Sequence, residues 1–413
     1  MKKILLVNGS FLNSSGCGVI AKNTYNILNS KNFEIEVFTA QNRSGLISYK
    51  YENLFIDPYN TPKKYIKNLL NFYYNFKSRE NISKLLRDFK PDIIHVHSLQ
   101  TSALTYSILK PCIEQNIPII MTLHDVFLIC PMMTLMKKNK IVCKDVLCKG
   151  FNKIPCVINN CGNNVEQSTR MALISFVNKL TGYDKQIQKF IAPSKALADI
   201  MIKYNSDINS NNIVVINNFL STEELKAIPN YTNKGYFLYI GRLSIEKGVI
   251  YLLKAMKDLP KDIKLKIAGT GAEESKLKKY AKENNLDNVE FLGFKNREEI
   301  QELYQNCIST ILPCNWFEIF GMTNIESFIN GKPVIASNIG GIPEIVEDNI
   351  NGLLFEPGNV EQLKECILKY WNNPDLVVEH GKNGYQKAIT QYTEEKYYQE
   401  LIKVYKEVLN ERQ

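Results

Sequence analysis

The stretch Tyr236-Phe237-Leu238-Tyr239-Ile240-Gly241-Arg242-Leu243-Ser244-Ile245-Glu246-Lys247-Gly248 decides the fold. It begins with a short apolar run of the kind that forms a strand buried on both faces of a parallel sheet. The run ends at a glycine-containing loop, after which helical stretches follow. A strand, a loop and a helical stretch in this order predict one unit of a doubly wound α/β sheet.

The same pattern occurs along the whole chain. Strands are predicted at 3–7, 34–39, 93–96, 119–123, 189–192, 213–216, 236–240, 265–268, 289–292, 309–312 and 333–336. A polar stretch, 221–235, separates the first six strands from the last five, and 413 residues suit two domains. We therefore expect an α/β protein with two facing, Rossmann-like parallel-sheet domains and an interdomain cleft. The predicted domains are residues 1–218, with a cysteine-rich insertion at 130–165, and residues 219–393, while residues 394–413 form a helix that packs back on the first domain.

Composition and charge narrow the class of protein. The apolar runs fall well short of the roughly 20 residues that a membrane span needs. The basic pair and short apolar run at 2–7 are interpreted as a first strand rather than a secretory signal, so a cytoplasmic location is expected. Residues 1–218 hold 27 Lys or Arg against 14 acids. This surplus suits an anionic membrane surface or a phosphorylated substrate. Because no nucleic-acid motif accompanies it, we expect no nucleic-acid partner.

The loop after the predicted strand 236–240 carries two cations. Arg242 and Lys247 are five positions apart, and a planar guanidinium together with a mobile ammonium suits a diphosphate. The alternative is a solvated arginine and a Glu-Lys pair at a helix start. Glycine loops also follow two other strands, at Gly269 and at Gly293-Phe294-Lys295, where the backbone can approach a ligand closely.

The string Trp316-Phe317-Glu318-Ile319-Phe320-Gly321-Met322-Thr323-Asn324-Ile325-Glu326-Ser327-Phe328 is the strongest signal for a site. A helix is predicted to start after Phe320-Gly321, and its free N–H groups would favour a phosphate. Glu326 would then reach a nucleotide ribose from that helix, while Glu318 in the loop would face a sugar. The alternative is one exposed and one capping glutamate.

These loops, in this order, resemble the family-four retaining glycosyltransferases of the GT-B fold, and the resemblance covers most of the chain. It implies that Arg242 and Lys247 hold the donor diphosphate, that Glu318 contacts the transferred sugar and that Glu326 contacts the ribose. It also implies a set of donor-binding residues whose backbone or side chain approaches the sugar, the phosphates or the base. These are Gly18, Gly241, Gly269, Phe294, Lys295, Phe320, Gly321, Met322 and Thr323.

The first domain resembles the family more loosely. Asn13-Ser14-Ser15-Gly16-Cys17-Gly18 is similar to the family's glycine loop, although Gly-Cys-Gly replaces the more usual Gly-Gly pair. His124 is expected at the sugar, although a lone histidine is more often structural. The predicted catalytic residues are Arg242, Lys247, Glu318 and His124. The expected acceptor-side residues are Gly16, His97, Ser194 and Asn218.

The resemblance implies a hexosyltransferase that retains anomeric configuration. It would move a hexose from a UDP- or GDP-sugar to a glycan or lipid-linked acceptor in bacterial capsule or O-antigen synthesis. The sequence contains no Asp-x-Asp string, so metal-independent catalysis without a required cofactor is expected. The alternatives are a non-catalytic nucleotide-sugar-binding partner of another transferase, a GT-B epimerase or a phosphorylase.

Two features fall outside these motifs. Cys143, Cys148, Cys156 and Cys161 could bind one structural zinc, although their spacing is wider than usual; the alternative is buried or idle thiols. The segment 63–90 carries eight Lys or Arg against two acids, interleaved with aromatic residues. It is predicted either to lie on an anionic membrane surface, as a peripheral protein at the inner face would, or to be a solvated helix packed on its own domain.

Overall fold

The computed structural model describes residues 2–9, 16–39, 75–99, 105–138, 142–143, 145–162, 164–231 and 235–411. The chain divides into two compact units. Unit 1 contains residues 1–217 and 397–413, and unit 2 contains residues 218–396. The divisions after residues 217 and 396 differ by one and three residues from the predicted divisions after residues 218 and 393.

Unit 1 is built on a parallel sheet in the order β2-β1-β3-β4-β5-β6. Its strands are β1 (Lys3–Asn8), β2 (Glu34–Thr39), β3 (Ile93–Ser98), β4 (Ile119–Thr122), β5 (Lys189–Ala192) and β6 (Ile213–Val215). The central strands are almost wholly buried, as their runs of Ile, Leu and Val predict.

The helices of unit 1 include those that connect these strands and one that lies within the insertion at 130–165. They are α1 (Gly16–Ser30), α2 (Phe76–Phe89), α3 (Leu109–Glu114), α4 (Ile154–Ile158), α5 (Val165–Thr181) and α6 (Lys195–Tyr204). Helix α1 begins at Gly16, so Gly16 and Gly18 lie in a first helical turn and not in the loop that the sequence predicted. Asn13, Ser14 and Ser15 lie outside the described residues.

Unit 2 is built on a second parallel sheet, in the order β12-β11-β10-β7-β8-β9. Its strands are β7 (Tyr236–Ile240), β8 (Leu265–Ala268), β9 (Val289–Gly293), β10 (Cys307–Leu312), β11 (Val334–Ser337) and β12 (Gly352–Phe355). Strand β12 was not predicted, because its sequence Gly-Leu-Leu-Phe begins with glycine and contains no β-branched residue. It pairs with β11 at the edge of the sheet.

The helices of unit 2 pack on both sides of this sheet around two main apolar clusters. They are α7 (Val249–Lys257), α8 (Glu274–Glu283), α9 (Arg297–Gln305), α10 (Met322–Ile329), α11 (Ile342–Ile345), α12 (Val360–Asn372) and α13 (Pro374–Gln391). The last helix, α14 (Glu394–Asn410), starts in unit 2 and is grouped with unit 1 from Tyr397 onward.

Helix α14 is fixed to unit 1 by two buried tyrosines. The Tyr397 hydroxyl lies 3.0 Å from that of Thr24 on α1, and the Tyr405 hydroxyl lies 2.8 Å from Nδ1 of His95 on β3. Both tyrosine side chains are buried. The C-terminal helix is therefore part of the core of unit 1. Of the helices in the described ranges, none is long and apolar enough to cross a bilayer.

Candidate active site

The candidate site of unit 2 lies where its strand order reverses. Strands β7 and β10 are neighbours in the sheet, but the chain continues from them toward opposite edges, through β8 and β11 respectively. In open parallel sheets, loops diverge at such a point and leave a crevice outside the carboxyl ends of the strands. The loop after β7 carries Arg242 and Lys247, and the loop after β10 carries Glu318.

Lys247 and Glu318 form a buried ion pair in this crevice. Nζ of Lys247 lies 2.5 Å from Oε2 of Glu318, and the two side chains are 19% and 11% exposed. Burial disfavours the Glu318 carboxylate, but Lys247 outweighs burial and lowers the pKa of Glu318. Burial also disfavours the Lys247 ammonium, and Glu318 again outweighs it, so the pKa of Lys247 is raised. Both groups are therefore charged at neutral pH.

Two further side chains hold the Glu318 carboxylate. The thiol of Cys314 and the indole N–H of Trp316 donate to Oε2 across 3.5 and 3.3 Å. Nζ of Lys247 lies 5.6 Å from the centre of the Trp316 ring, which adds a cation–π contact. The carboxylate is thus fixed in position before any ligand arrives.

The backbone of Glu318 is fixed by the glycine turn after β11. The N–H of Gly341 donates to the carbonyl oxygen of Glu318 across 2.8 Å. Gly340 has a φ of +61°, and a Cβ at this position would lie 2.1 Å from the same oxygen. A side chain at residue 340 would push this loop away. The Gly340-Gly341 turn after β11 therefore supports the Glu318 loop.

Helix α10 begins where the sequence predicted, directly after Gly321. Gly321 has a φ of +95°, in the left-handed region, and Met322 is the first helical residue. Phe320 is buried in the apolar cluster beneath the loop. The first N–H groups of an α-helix have no partner within the helix, so this end of α10 offers donors to an anion.

Asn324, in the first turn of α10, has an unpartnered buried amide. The side chain is 1% exposed, and within the described ranges Nδ2 has no hydrogen-bond partner. Asn324 lines a small cleft, together with Ile240 at the end of β7, Thr310 and Leu312 on β10, Tyr304 and Thr323. A buried amide without a hydrogen-bond partner destabilises the fold by about 1–3 kcal/mol. A ligand that accepts from Nδ2 of Asn324 would remove this cost on binding.

Glu326 lies in the second turn of α10, two residues after Asn324. The Tyr304 hydroxyl donates to its Oε2 across 3.0 Å. Burial, assisted by the negative charge of Glu224, raises the pKa of Glu326 to about 7. The carboxyl therefore changes protonation state near neutral pH, unlike that of Glu318.

Other residues of unit 2 that were predicted to bind the donor are more exposed. The Arg242 side chain is 66% exposed and pairs at 3.0 Å with Glu246, the residue directly before Lys247. Phe294 is 78% exposed directly after β9, and Lys295 pairs with Glu299 at 2.7 Å. Arg242 and Lys295 are thus each paired with an acidic side chain. Gly269 fits tightly, since a Cβ there would lie 1.9 Å from the carbonyl oxygen of Gly241.

In unit 1, histidines gather at the carboxyl ends of β3 and β4. Nδ1 of His97 lies 3.0 Å from Nε2 of His124, and their rings are stacked with centroids 5.2 Å apart. Burial lowers the pKa of His124 to about 4, and burial together with the neighbouring histidines lowers that of His97 well below its usual value. Both rings are neutral at pH 7. Nε2 of His97 is buried and has no partner among the residues that the structure describes.

His95 supports this pair from below. Its Nδ1 lies 2.8 Å from the hydroxyl of Tyr405, its Nε2 lies 2.8 Å from that of Thr122, and its ring centroid is 4.3 Å from that of His97. Burial, followed by the influence of His124, lowers the pKa of His95 to about 3. His95 is thus a structural residue in the layer beneath His97.

The other residues predicted on the acceptor side have local roles. The hydroxyl of Ser194 caps α6 by accepting from the N–H of Leu197 across 3.2 Å. Asn218 is buried and is the first residue of unit 2. Gly18 is buried in the first turn of α1, whereas Gly16 is exposed. Cys17 lies between them and donates to Oδ1 of Asn8, at the end of β1, across 3.2 Å.

The cysteines of the insertion separate into two groups. Cys148, Cys156 and Cys161 pack together with Ala172 of α5. Cys143 lies apart and donates to the carbonyl oxygen of Asp145. Within the described ranges, no group of three or more His, Cys, Asp or Glu side chains has an arrangement that could hold a metal ion. The zinc site of the four cysteines stays a prediction.

Several site residues were not foreseen from the sequence. These residues carry no formal charge and do not stand out from their neighbours in the sequence: Tyr304, Cys314, Asn324 and His95. The signal for His95 was its alternation with His97 on one strand, which places the two rings on the same side of the sheet. The others come from tertiary packing and gave no signal.

Comparisons with known proteins agree with this architecture. Residues 14–224 match the model of Glycosyltransferase Family 4, and residues 221–387 match that of Glycosyl transferases group 1. An uncharacterized glycosyltransferase of Methanocaldococcus jannaschii is 36% identical over 50% of this chain and 57% of its own length. The lipopolysaccharide 1,6-galactosyltransferase of Escherichia coli K12 is 28% identical over 52% of this chain and 60% of its own length. The matched part thus spans less than two thirds of either relative.

A solved structure resembles the whole chain. Anabaena HepE in complex with UDP-glucose superposes with a TM-score of 0.67 at 17% identity, covering 98% of this chain and 100% of that one. Two six-stranded parallel sheets of this kind define the GT-B fold. Since the first family model alone covers half of the residues, the chain belongs to glycosyltransferase family 4.

Proposed function

We propose that this protein is a retaining, metal-independent glycosyltransferase. It transfers a hexose from a nucleoside diphosphate sugar to a hydroxyl of a glycan or a lipid-linked acceptor. The buried Lys247–Glu318 pair carries this proposal, because it joins a fixed cation to a fixed carboxylate at the crevice beside the start of α10.

The positive groups of this site are suited to the leaving diphosphate. In the transfer, the bond from the anomeric carbon to the diphosphate oxygen breaks and a bond to the acceptor oxygen forms on the same face. The acceptor proton passes to the leaving phosphate. Negative charge therefore develops on the diphosphate, and Lys247, Arg242 and the N–H groups at the start of α10 can stabilise it. These groups can act in place of a divalent ion.

The two glutamates suit different parts of the donor. Glu318 is ionised and held by three donors, so it can accept from sugar hydroxyls with its remaining lone pairs. Glu326 can accept from the ribose hydroxyls. Phe294 and Lys295 follow β9 and are proposed to flank the base. The UDP-glucose held by HepE supports uridine as the first base to test.

Unit 1 is proposed to supply the acceptor side. His124 is neutral, so it can donate or accept at a sugar hydroxyl, and its bond to His97 fixes its orientation. The chain resembles a lipopolysaccharide 1,6-galactosyltransferase of E. coli, and this supports a role in bacterial surface polysaccharide synthesis. We propose that the protein acts at the cytoplasmic side.

The first experiment is a thermal-shift screen of the whole chain with UDP, GDP and their hexose conjugates, in EDTA. A shift with one base in wild type and its loss in Lys247→Ala would support the donor site. Lys276→Ala is the matched control, because Lys276 is 71% exposed and pairs with Glu273 on the surface of the same unit. No shift with any nucleotide would contradict the proposal.

A second measurement separates transfer from binding alone. With the donor found by the screen, sugar release and transfer to extracted glycan or lipid-linked acceptors are followed by mass spectrometry. Glu318→Ala should lower turnover by orders of magnitude. Binding without turnover would instead assign the protein to the non-catalytic partners, and a rearranged free sugar would assign it to the epimerases.

A further inference from the structure

All three donors to the Glu318 carboxylate converge on one of its two oxygens. Oε2 accepts from Nζ of Lys247 across 2.5 Å, from the indole N–H of Trp316 across 3.3 Å and from the thiol of Cys314 across 3.5 Å. Among the residues that the structure describes, none donates to Oε1. An ionised carboxylate has about four lone-pair sites, shared between its two oxygens. Oε2 is therefore fully used within the chain, whereas Oε1 keeps its capacity to accept.

Two of these donors follow β10 with one residue between them. Cys314 is fully buried and Trp316 is partly buried. Both pack in the apolar cluster beneath the loop, which also contains Phe320. Because this packing fixes the thiol and the indole, the position of the Glu318 carboxylate is set by its near neighbours in sequence as well as by Lys247.

Asn315, the residue between them, contacts the other loop of the crevice. Its backbone N–H donates to the carbonyl oxygen of Glu246 across 3.1 Å. With its amide nitrogen turned toward that loop, the side chain also donates to the carbonyl oxygens of Ile245 and Glu246, across 3.1 and 3.0 Å. Glu246 directly precedes Lys247. Asn315 therefore joins the backbone that carries Lys247 to the backbone that carries Glu318.

Trp316 contacts both charges of the ion pair. Its indole N–H donates to the Glu318 carboxylate, and the centre of its ring lies 5.6 Å from Nζ of Lys247. The electron-rich face of an indole attracts a cation, while its N–H is a donor only. Movement of either charge away from the other therefore loses a contact with the same side chain.

We propose that the tripeptide Cys314-Asn315-Trp316 positions the ion pair so that Oε1 of Glu318 receives the transferred sugar. The inference rests on the proposed donor site and assigns the atom that reads the sugar there. Oε1 can only accept, so the hexose presents O–H or N–H groups to it. The three residues are positioning residues, because they act through Glu318 and Lys247 and not on the reacting atoms.

The test separates the sugar from the nucleotide. Calorimetric titrations use UDP and UDP-glucose, or the diphosphate and hexose conjugate that the thermal-shift screen selects. Cys314→Val and Trp316→Phe each remove one donor to Oε2 and leave Lys247 in place. They should weaken binding of UDP-glucose about tenfold and that of UDP by less than about twofold, since a displaced carboxylate loses the sugar but not the diphosphate.

Two further variants distinguish positioning from simple packing. Cys314→Ser keeps a donor at the same place, so it should bind UDP-glucose nearly as wild type does. Asn315→Leu releases the loop that carries Lys247 and should therefore weaken UDP and UDP-glucose together. A merely structural role for residues 314–316 would give no rescue by serine and no difference between the two ligands.

The same substitutions at other positions of unit 2 are the matched controls. Cys307, like Cys314, is 0% exposed, and Trp371, like Trp316, is partly buried beside an apolar cluster. Cys307→Val and Trp371→Phe should leave the ratio of the two dissociation constants unchanged. The proposal is overturned if Cys314→Val and Trp316→Phe behave as these controls do, or if they weaken UDP as much as UDP-glucose.

A second measurement needs no donor. The chain has two tryptophans, so Trp316 is the sole one in Trp371→Phe protein. In this background, Glu318→Gln should shift the emission maximum of Trp316, because it removes the charge beside the indole. Glu326→Gln, at the second glutamate of the site, should not. An unchanged emission in Glu318→Gln overturns the proposed contact.

The two measurements fail separately. If wild type binds no nucleotide or nucleotide sugar, the proposed function is wrong, and the emission of Trp316 still decides whether this side chain holds Glu318. If wild type binds UDP-glucose but the donor variants bind it equally well, the proposed function stands and the positioning role is wrong.

Discussion

The hydroxyl of Tyr304 donates to the carboxylate of Glu326 across 3.0 Å, although burial raises the pKa of that carboxyl to about 7. A carboxyl in this state is only partly ionised in the free protein at neutral pH. Because its folded pKa lies above its usual value of 4.5, the stability that the protonated Glu326 contributes is lost as the pH rises from about 4.5 to about 7. The same ionisation creates the stronger acceptor for ribose hydroxyls.

Donor affinity should therefore rise between about pH 6 and 8 by more than the ionisation of the nucleotide phosphate explains. Glu326→Gln should remove the part of this rise in affinity that comes from ionisation of the Glu326 carboxyl. Glu224→Gln should move the midpoint to lower pH, since Glu224 helps to raise the pKa of Glu326. Calorimetric titration with the nucleoside diphosphate measures this. Identical pH profiles for wild type and Glu326→Gln would contradict the role of Glu326.

The Lys247–Glu318 pair should show strong coupling in a double-mutant cycle. Lys247→Met leaves a buried carboxylate without its cation and should cost about 3–5 kcal/mol. Glu318→Gln should also destabilise the chain, but the double variant should lose clearly less than the sum, because no unpaired charge remains. Urea unfolding measures stability, and none of the three variants should transfer sugar. Additive losses would mean that the two charges do not interact.

Asn324→Leu should have opposite effects on stability and on donor binding. Leucine has a similar volume and removes an amide that has no partner among the described residues, so the melting temperature should rise or stay level. Donor affinity should fall, because the ligand loses a donor in the cleft.

Asn330→Leu is the control for this prediction. Its amide donates to the carbonyl oxygen of Glu326, and its oxygen accepts from the amide of Gln301, so its replacement should destabilise the chain. If Asn324→Leu destabilises the protein as much as Asn330→Leu, the amide of Asn324 has a structural partner and the prediction is wrong.

The buried histidines should make stability fall at mildly acid pH. The folded pKa of His95 is about 3 against a usual value of 6.5. Its contribution is therefore complete above about pH 6.5 and is lost as the pH falls toward the folded value. Melting temperatures between about pH 7.5 and 4.5 should decline less steeply in His95→Gln than in wild type. Parallel profiles would show that His95 does not titrate on unfolding.

Most strands could be predicted from the sequence, because parallel strands buried on both faces are continuous apolar runs. Strand β12 could not, since Gly-Leu-Leu-Phe begins with glycine and has no β-branched residue. The start of α10 was also predicted, from the glycine at position 321. Local spacing therefore located the loops that carry Lys247 and Glu318.

The contacts between those loops could not be read from spacing. Lys247 and Glu318 were expected to bind different parts of one donor, but in the free chain they bind each other across 71 positions. The partners Cys314 and Tyr304 have no charge, and their importance depends on packing. For His95, the partner Tyr405 lies 310 positions away in the last helix. Such pairings are decided by the tertiary fold.

Helix α14 affects the order in which the two units can fold during synthesis. Unit 2 is one continuous segment, whereas unit 1 needs Tyr397 and Tyr405 to complete the hydrogen bonds of Thr24 and His95. A ribosome therefore releases the first 217 residues long before the helix that completes their core. Unit 2 can finish folding during translation, while unit 1 stays incomplete until α14 has also been made. His95 acquires its final hydrogen-bond partner only after Tyr405 has been added to the chain.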